Sequence, residues 1–284
     1  MMRKLLSAGL LLLLAGCSSP HSDRPHKLID RGEYKIDTNN PSVAQNERVR
    51  FLVLHYTATD DAESLRILTQ GDVSAHYLVK THPENVGGKP VVLQLVPESQ
   101  RAWHAGVSYW EGRTSLNDTS IGIEIVNKGF TERMLGRKWY PYNESQIELI
   151  ERLSRDIVER YNIAPMNVVA HSDIAPQRKS DPGPLFPWKR LAEQGIGAWP
   201  DDATVAKYIN GRNKYDIGSV TVIQQALARY GYQIPQNGVL DNETIQVIKA
   251  FQMHFRAQNI RGVPDIETEA IALALVEKYH PQGS

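Results

Sequence analysis

Two histidines and one aspartate have the residue types and surroundings of a metal-binding site. His55 comes directly after the apolar run Phe51 to Leu54, which predicts a buried strand. His171 follows Val168 to Ala170 in the same way, and Asp181 comes ten residues later in a proline-rich loop. Two imidazoles, one carboxylate and a water molecule make a typical open catalytic zinc site. On spacing alone, the alternative is that each histidine caps a strand end with a polar group.

Glu124 places a carboxylate inside another predicted strand, which indicates a functional role. Along residues 121–126, the three isoleucines point to one face of the strand, whereas Gly122, Glu124 and Val126 point to the other. Burying a carboxylate among apolar side chains is unfavourable unless it has a role, and an internal salt bridge is the alternative to a catalytic one. Lys179 is close enough in sequence to Asp181 to project into the same pocket, although alone it is typical of a surface lysine.

The elements that must position these residues alternate between strands and helices. Short apolar runs predict strands at residues 49–56, 91–96, 121–126 and 167–171. Residues 144–161 predict a helix, because apolar side chains recur there at helical spacing. Strands interleaved with helices favour an α/β architecture built in layers.

The composition is that of a globular protein. The chain has 284 residues, enough for one large domain or two ordinary ones. Hydrophobic residues make up 41% and charged residues 23%, which excludes wholesale disorder, collagen and a coiled coil. Lysine plus arginine number 32, as do aspartate plus glutamate, so the net charge gives no electrostatic support for a nucleic-acid partner. A multi-spanning membrane protein is excluded too, because the chain has one prominent apolar run, at its start.

The N-terminal segment predicts export and a lipid anchor. The apolar run of residues 5–15 would span only about 16 Å as a helix, which indicates a signal-peptide core and not a membrane span. It ends in residues 14–17, Leu-Ala-Gly-Cys, which resemble the lipobox of bacterial lipoproteins. This resemblance implies that residues 1–16 are a signal peptide and that Cys17 becomes lipidated, with an acyl chain such as palmitate on its new amine. A signal peptide with an incidental cysteine is the alternative.

The residues after Cys17 bear on the location of the protein. Ser18, in place of aspartate, implies sorting to the outer membrane of a Gram-negative bacterium, with the chain facing the periplasm. We expect residues 17–36 to be a lipidated tether, because this segment begins with a polar stretch that contains two prolines. The chain has no second cysteine with which Cys17 could form a disulfide.

Four motifs, taken in order, point to a family. Residues 55–57, 103–106, 117–124 and 171–183 resemble the zinc-dependent N-acetylmuramoyl-L-alanine amidases of the type 2 family. The resemblance implies a catalytic domain at residues 37–200 with a mixed central β-sheet flanked by helices, similar to that of peptidoglycan-recognition proteins. It also implies one Zn²⁺ ion per chain, bound by the ligands His55, His171 and Asp181.

The family resemblance further implies a reaction. Such enzymes hydrolyse the amide between the lactyl group of muramic acid and L-alanine of the stem peptide, in cell-wall turnover and recycling. Glu124 would take the proton of a zinc-activated water and pass it to the alanine nitrogen. Lys179 and the zinc would stabilise the oxyanion. The sequence leaves open how Glu124 and Lys179 divide proton transfer and charge stabilisation.

Other residues within the motifs have two interpretations. Trp103, His104 and Asn117 lie in motifs near the expected cleft and are predicted to contact sugar or peptide, although His104 has an equal claim to be a structural hydrogen-bonding residue. His76 is expected to be a core histidine, and His254 has no metal-binding partner at useful spacing.

The C-terminal part predicts a small all-α domain. A glycine-containing boundary at residues 195–200 precedes three predicted helices, at residues 220–230, 242–252 and 267–279. Residues 203–284 resemble the three-helix peptidoglycan-binding domain found beside many wall hydrolases. We expect a binding domain that can be removed without loss of hydrolysis of small soluble muropeptides. The alternative is a bundle that braces the catalytic domain.

Two non-catalytic functions compete with the enzyme. One is a peptidoglycan-recognition protein without hydrolysis, and the other is a lipoprotein that ties the wall to the outer membrane. Recognition proteins of this fold typically lack a metal ligand, whereas His55, His171, Asp181 and Glu124 are all present. The predicted partners are therefore peptidoglycan and muropeptides, with the outer membrane contacted through the lipid, and no obligate protein partner is evident in the sequence.

Overall fold

The computed structural model of the chain describes residues 28–134 and 136–281. In these residues the strands are β1 (Leu28–Asp30), β2 (Lys35–Asp37), β3 (Phe51–Tyr56), β4 (Tyr77–Val79), β5 (Asn85–Val86), β6 (Lys89–Pro90), β7 (Leu93–Gln94), β8 (Tyr109–Trp110), β9 (Arg113–Thr114), β10 (Ser120–Ile125), β11 (Phe130–Arg133), β12 (Gly136–Trp139) and β13 (Val168–Ala170). The α-helices are α1 (Asp61–Gln70), α2 (Glu144–Tyr161), α3 (His171–Ile174), α4 (Trp188–Glu193), α5 (Asp202–Ile209), α6 (Val220–Tyr230), α7 (Asn242–Phe255) and α8 (Ile266–Tyr279). The predicted signal peptide and Cys17 lie outside the described residues. None of the helices above is both long enough and apolar enough to cross a bilayer.

The central sheet has five strands in the order β13–β3–β10–β4–β7. The first four run parallel to one another, and β7 is antiparallel to β4 at the edge, so the sheet is mixed as predicted. The register pairs His55 of β3 with Glu124 of β10. Because parallel strands end at the same edge of a sheet, β3, β10 and β13 bring their polar carboxyl ends together.

The two faces of β10 have different surroundings. The isoleucines of this strand lie in an apolar core with Ile147 and Ile150 of α2. Gly122 and Glu124 face the other way, because side chains alternate along a strand. The alternation predicted from the sequence is therefore confirmed, and it directs one carboxylate away from the core.

The bounds of α2 are those predicted from the sequence. Asn143 precedes the helix with extended backbone, and its N–H donates to the side-chain oxygen of Gln146 at 3.2 Å. This is half of a capping box, and it satisfies a donor at the start of the helix. Asn162 ends the helix in the left-handed conformation, with φ of 50°.

The C-terminal domain contains the three predicted helices and one more. Ser219, Asp241 and Asp265 each precede a helix and accept a hydrogen bond from the backbone N–H three residues later. Such caps satisfy N–H groups that have no partner inside the helix, and so they define where α6, α7 and α8 begin. The additional helix, α5, packs against α8.

One hydrophobic core extends through the catalytic and the C-terminal domains. Side chains from the central sheet lie in the same buried cluster as side chains from α6, α7 and α8. Members of this cluster include Phe51, Val53, Val169, Ile223, Leu227, Phe251 and Leu275. A shared core favours the alternative in which the C-terminal domain braces the catalytic domain, and it disagrees with the expectation of a separable module.

Trp110 is the largest side chain in this shared core. Its indole N–H donates to the carbonyl oxygen of Met166 at 3.1 Å. The ring meets Tyr230 and Tyr232 edge-on, with centroid distances of 5.9 and 4.8 Å. Aromatic pairs of this geometry add about 0.5–1.5 kcal/mol each beyond the area they bury.

The N-terminal segment differs from a plain extended tether. Within residues 28–37, β1 and β2 form an antiparallel hairpin that pairs Leu28 with Asp37. The turn closes because the Asp30 carboxylate accepts the N–H of Gly32 at 2.8 Å. Gly32 has φ of 85°, a conformation that glycine adopts without strain.

Candidate metal centre and active site

His55, His171 and Asp181 meet at one buried point. The Nδ1 atoms of the two histidines are 2.9 Å apart, and each lies 3.0–3.1 Å from Oδ2 of Asp181. Ligand atoms bound at about 2.0–2.1 Å to a tetrahedral zinc ion are roughly 3.3 Å from one another. The triangle is slightly tighter than that spacing, and its three ligand atoms are close enough together to hold one metal ion.

The two ligands that follow β13 lie at the start of α3 and in the loop after it. His171 begins α3 directly after that strand, and the N–H of Ser172 donates to the backbone oxygen of Asp181 at 2.9 Å. The Tyr142 hydroxyl donates to the backbone oxygen of Pro182 at 2.7 Å. These bonds hold Asp181 beside His171 although nine residues separate them in the chain.

The outer nitrogens of both histidine ligands have partners. His171 Nε2 lies 3.2 Å from the carbonyl oxygen of Ala105, and His55 Nε2 lies 3.0 Å from Nδ1 of His104. His104 Nε2 in turn lies 3.1 Å from the hydroxyl of Ser120. One tautomer, with the proton on Nε2 of each histidine, satisfies all three contacts and leaves both ligand Nδ1 lone pairs facing the metal position. Such outer contacts orient metal ligands.

His104 makes the structural hydrogen bonds that the sequence left as an alternative, and it also lines the cavity that contains Glu124. It is buried, and its ring lies so close to Gly122 that a Cβ there would be 2.5 Å from its Cγ. The glycine of β10 is needed to make room for this ring. His104 acts on the site by orienting His55.

The electrostatic environment favours the protonation states that metal binding requires. Burial, with a further contribution from His171, lowers the pKa of His55 to about 4. Burial would raise the pKa of Asp181, but His171 and His55 together hold that pKa below its ordinary value. A neutral imidazole and an ionised carboxylate are the forms that bind a metal ion.

Glu124 is the group most clearly lacking a structural explanation. Its Oε2 atom is buried and has no hydrogen-bond partner among the described residues, so the alternative of an internal salt bridge is not supported. Burial raises the pKa of Glu124 to about 8, the charge of Asp181 adds to this, and Lys179 opposes it. A carboxyl with such a pKa can hold and release a proton near neutral pH.

These residues line one large cleft. The cavity has a volume of about 1340 Å³, and Glu124, Lys179 and Asp181 are among its lining residues. Trp103 also lines it and is 52% exposed, with the Arg101 guanidinium 4.1 Å from the ring centre. An exposed ring at a cleft is suited to contact with a ligand, and the predicted contact of Trp103 with sugar or peptide stays a prediction.

Asn117 has a different position from the one expected of a substrate-binding residue. Its side-chain oxygen accepts the backbone N–H groups of His104 and Ala105, at 3.1 and 2.8 Å. Both lone pairs are directed at the backbone and not at the cleft, so Asn117 positions the segment that supports the two histidine ligands.

The prediction for His76 is confirmed, since it is buried and bonded to the backbone of Gly122 and Gln100.

Sequence reasoning missed a link between the C-terminal domain and the metal centre. Asp173, in the helix that His171 begins, accepts the Tyr232 hydroxyl at 2.7 Å on one oxygen. Its other oxygen lies 2.7 Å from Nδ1 of His254 and accepts the N–H of Ala170. Nothing in the sequence could pair Asp173 with His254, because 81 positions separate them.

Comparisons with known proteins agree with this geometry. The family model for N-acetylmuramoyl-L-alanine amidase matches residues 45–184, and the model for a putative peptidoglycan binding domain matches residues 218–271. The fold and the site are those of an amidase of the cell wall, and the chain belongs to the N-acetylmuramoyl-L-alanine amidase family. It is 49% identical to the N-acetylmuramoyl-L-alanine amidase AmiD of Escherichia coli over 94% of this chain and 95% of that protein.

Solved structures show the same likeness. The complex of Escherichia coli AmiD with the substrate anhydro-N-acetylmuramic acid-L-Ala-D-gamma-Glu-L-Lys matches with a TM-score of 0.86 and 48% identity, over 90% of this chain and 99% of that one. AmpDh3 from Pseudomonas aeruginosa, in complex with an anhydromuramic pentapeptide, matches with a TM-score of 0.77 and 45% identity, over 88% and 98%. The likeness includes the C-terminal domain, since it extends over nearly the whole chain.

Proposed function

We propose that the chain is a zinc-dependent N-acetylmuramoyl-L-alanine amidase that releases stem peptides from muropeptides, including those with anhydro-muramic ends, in cell-wall turnover and recycling. The bond it cleaves joins the lactyl group of muramic acid to L-alanine. The observation that carries the proposal is the convergence of His55, His171 and Asp181 beside the unpartnered oxygen of Glu124. The two solved relatives that hold anhydro-muramyl peptides support the substrate class.

The donor set fits zinc better than a harder cation. His55 and His171 would bind the ion through Nδ1, and Asp181 would bind it through Oδ2. Zinc commonly binds imidazole nitrogens, whereas magnesium and calcium prefer oxygen ligands. Zinc held there would polarise the scissile carbonyl and lower the pKa of a water ligand to about 7. Three protein ligands leave room for that water.

Glu124 and Lys179 would carry out the remaining chemistry. The Glu124 carboxylate, which lines the cleft, would take the proton of the attacking water, hold it, and deliver it to the departing alanine nitrogen. The ammonium group of Lys179 lies in the same cleft and offsets the negative charge that develops on the carbonyl oxygen. The two residues therefore have separate tasks, proton transfer and charge stabilisation.

Loss of one metal ligand should abolish zinc binding under ordinary conditions. We expect the chain to hold about one zinc, and we expect His55→Ala, His171→Ala and Asp181→Ala each to lose it, because two remaining ligands cannot close the site. Zinc content after gel filtration, measured by atomic emission, tests this. His76→Ala is the matched control, since this buried histidine lies outside the triangle. Full activity of a verified metal-free protein would contradict the zinc mechanism.

We further propose that the protein is an outer-membrane lipoprotein facing the periplasm. Support comes from the lipobox that ends at Cys17 and from Ser18 after it. Several acyl chains on one cysteine exceed what stable anchoring needs, which is about two lipid signals.

Replacing the lipidated cysteine should release the protein from the membrane. We expect Cys17→Ser to leave the chain unacylated, either with its signal peptide retained or soluble in the periplasm. Mass spectrometry of the mature N-terminus and membrane fractionation measure this directly. Ser18→Asp is an informative partner, because it keeps the lipid and should change only the membrane to which the protein is sorted. An unmodified Cys17 on the exported chain would refute the anchor.

A further inference from the structure

Two cations of the C-terminal domain lie in the active-site cleft without a carboxylate partner. Lys249 of α7 and Arg261, which follows that helix, line the same cavity as the metal ligands His171 and Asp181. Within the described residues, Lys249 forms no ion pair, and the Arg261 side chain donates only to the neutral side chain of Asn259, at 3.1 Å. Lys249 and Arg261 therefore form a basic wall of the cleft, which the C-terminal domain contributes.

Most other lysine and arginine side chains of the C-terminal domain form ion pairs. Away from the cleft, five lysine and arginine side chains of residues 203–281 are paired with carboxylates: Lys207 with Glu277, Arg212 with Glu269, Lys214 with Glu267, Arg256 with Asp265, and Lys278 with Asp201. Arg229 bonds to a backbone oxygen. Three cations of these residues therefore have no carboxylate partner, and the two of them that do not bond to a backbone oxygen, Lys249 and Arg261, are the two that line the cleft. We infer that their anion comes from a ligand.

Two contacts fix the position of Lys249 and of its helix α7 relative to the loop that carries Lys179. Lys249 packs its stem against the backbone of Gly262, where an added Cβ would lie 3.0 Å from its Cγ. The first turn of α7 is tied to the loop that carries Lys179, because the side-chain amide of Gln177 donates to the Glu243 carbonyl oxygen at 3.0 Å. Contacts to α7 can therefore position a substrate relative to the metal.

The peptide part of the proposed substrate has free carboxylates that can pair with Lys249 and Arg261. A glutamate linked through its γ-carboxyl, as in the peptide bound to Escherichia coli AmiD, keeps its α-carboxylate free. The last residue of the stem adds a second carboxylate. Both lie beyond L-alanine, on the part of the substrate that leaves. A cleft of about 1340 Å³ exceeds the range of about 300–1,000 Å³ usual for small ligands, so it has room for such a peptide as well as the sugar.

We propose that Lys249 and Arg261 form a subsite for the free carboxylates of the γ-linked acidic stem peptide. The C-terminal domain would then contribute directly to recognition of the soluble substrate, in addition to any contact with polymeric wall. This inference rests on the proposed function, because that function supplies the substrate class.

Binding to the zinc-loaded full chain carrying Glu124→Gln tests the subsite without turnover. Two probes are compared by calorimetry at low salt: muramyl-L-Ala-D-γ-Glu-L-Lys, and the same compound with both peptide carboxylates converted to amides. We expect Lys249→Met and Arg261→Gln each to weaken binding of the acidic probe about fivefold, as for a charge-assisted contact in a partly hydrated cleft. Binding of the diamide should change less than twofold.

The controls separate recognition from packing. Lys249→Arg keeps the charge and should restore binding of the acidic probe, whereas Lys207→Met removes a paired cation outside the cleft and should change neither probe. Equal weakening of both probes by Lys249→Met, or no weakening of either, would overturn the subsite. Failure of the wild-type chain to hydrolyse the acidic probe would instead contradict the proposed function, and the difference in binding between the probes would still be measured.

Discussion

Glu124→Gln should lower turnover on soluble muropeptides by about 100-fold or more while zinc content stays unchanged. Glutamine keeps the shape of the side chain but cannot accept the proton of the attacking water. The sheet register pairs Glu124 with His55, and the Oε2 atom of Glu124 is buried and has no hydrogen-bond partner among the described residues. We therefore expect no neighbouring group to replace Glu124 as the general base. Steady-state kinetics together with zinc analysis of the same preparation measures the effect.

The cleft offers a matched control for this experiment. Glu132 also lines it, but its carboxylate is exposed and paired with Arg137 at 3.0 Å. Glu132→Gln should therefore keep turnover within about threefold of the wild type, since exposed ion pairs contribute little. Lys179→Ala should lower turnover more than zinc content. Near-normal turnover of Glu124→Gln would mean that another group is the general base.

The sequence predicted the site well where short-range patterns determine the structure. The strands that carry His55 and Glu124, and the strand that directly precedes His171, were predicted because buried parallel strands are continuous apolar runs. The predicted strand at residues 167–171 ends at Ala170, because His171 begins α3. The bounds of α2 and α6 were correct residue for residue, since a capping residue directly precedes each helix. Period-two alternation in β10 gave the direction of Glu124 without any knowledge of its neighbours.

Other elements were missed because their signals are weak or long-range. The predicted strand at residues 91–96 contains only the two-residue strand β7, because edge pairing depends on β4 and not on local sequence. Helix α3 has four residues, which is too short for a periodic pattern. The backbone contacts of Asn117 were not predicted, since its motif position says nothing about which way its side chain points.

The relation between the two domains was the largest point that the sequence left undecided. Helical patterns show that a small bundle exists, but an amphipathic helix does not reveal what covers its apolar face. In the structure, apolar side chains of α6 and α7 belong to the same buried cluster as Phe51 and Val53 of the catalytic sheet. The bundle is therefore part of the catalytic domain's core, whatever it also binds.

Deleting residues 203–284 should therefore destroy the folded enzyme and not merely its attachment to wall. The deletion takes Tyr230 and Tyr232 away from Trp110 and removes the side chains that the C-terminal helices contribute to the shared core, and burial of each large apolar side chain is worth about 1.5–3 kcal/mol. Domains of this size are stable by only about 5–15 kcal/mol, so several such losses consume most of that margin. We expect aggregation or a fall in melting temperature of more than about 10 °C, with equal loss on soluble and insoluble substrates.

A point substitution tests the same coupling with the domain left in place. His254→Ala removes one partner of Asp173, whose helix begins with His171, and it leaves a cavity beside Trp188, which stacks on the imidazole at 3.8 Å. We expect a lower melting temperature and weaker zinc retention than in Lys207→Met, a variant on the exposed side of the same domain. A truncated chain that melts cooperatively within a few degrees of the full chain, keeps its zinc and hydrolyses soluble muropeptides would show that the shared core is dispensable. The expected result is the reverse, because removing the bundle takes away both its part of the shared core and the two side chains that hold Asp173.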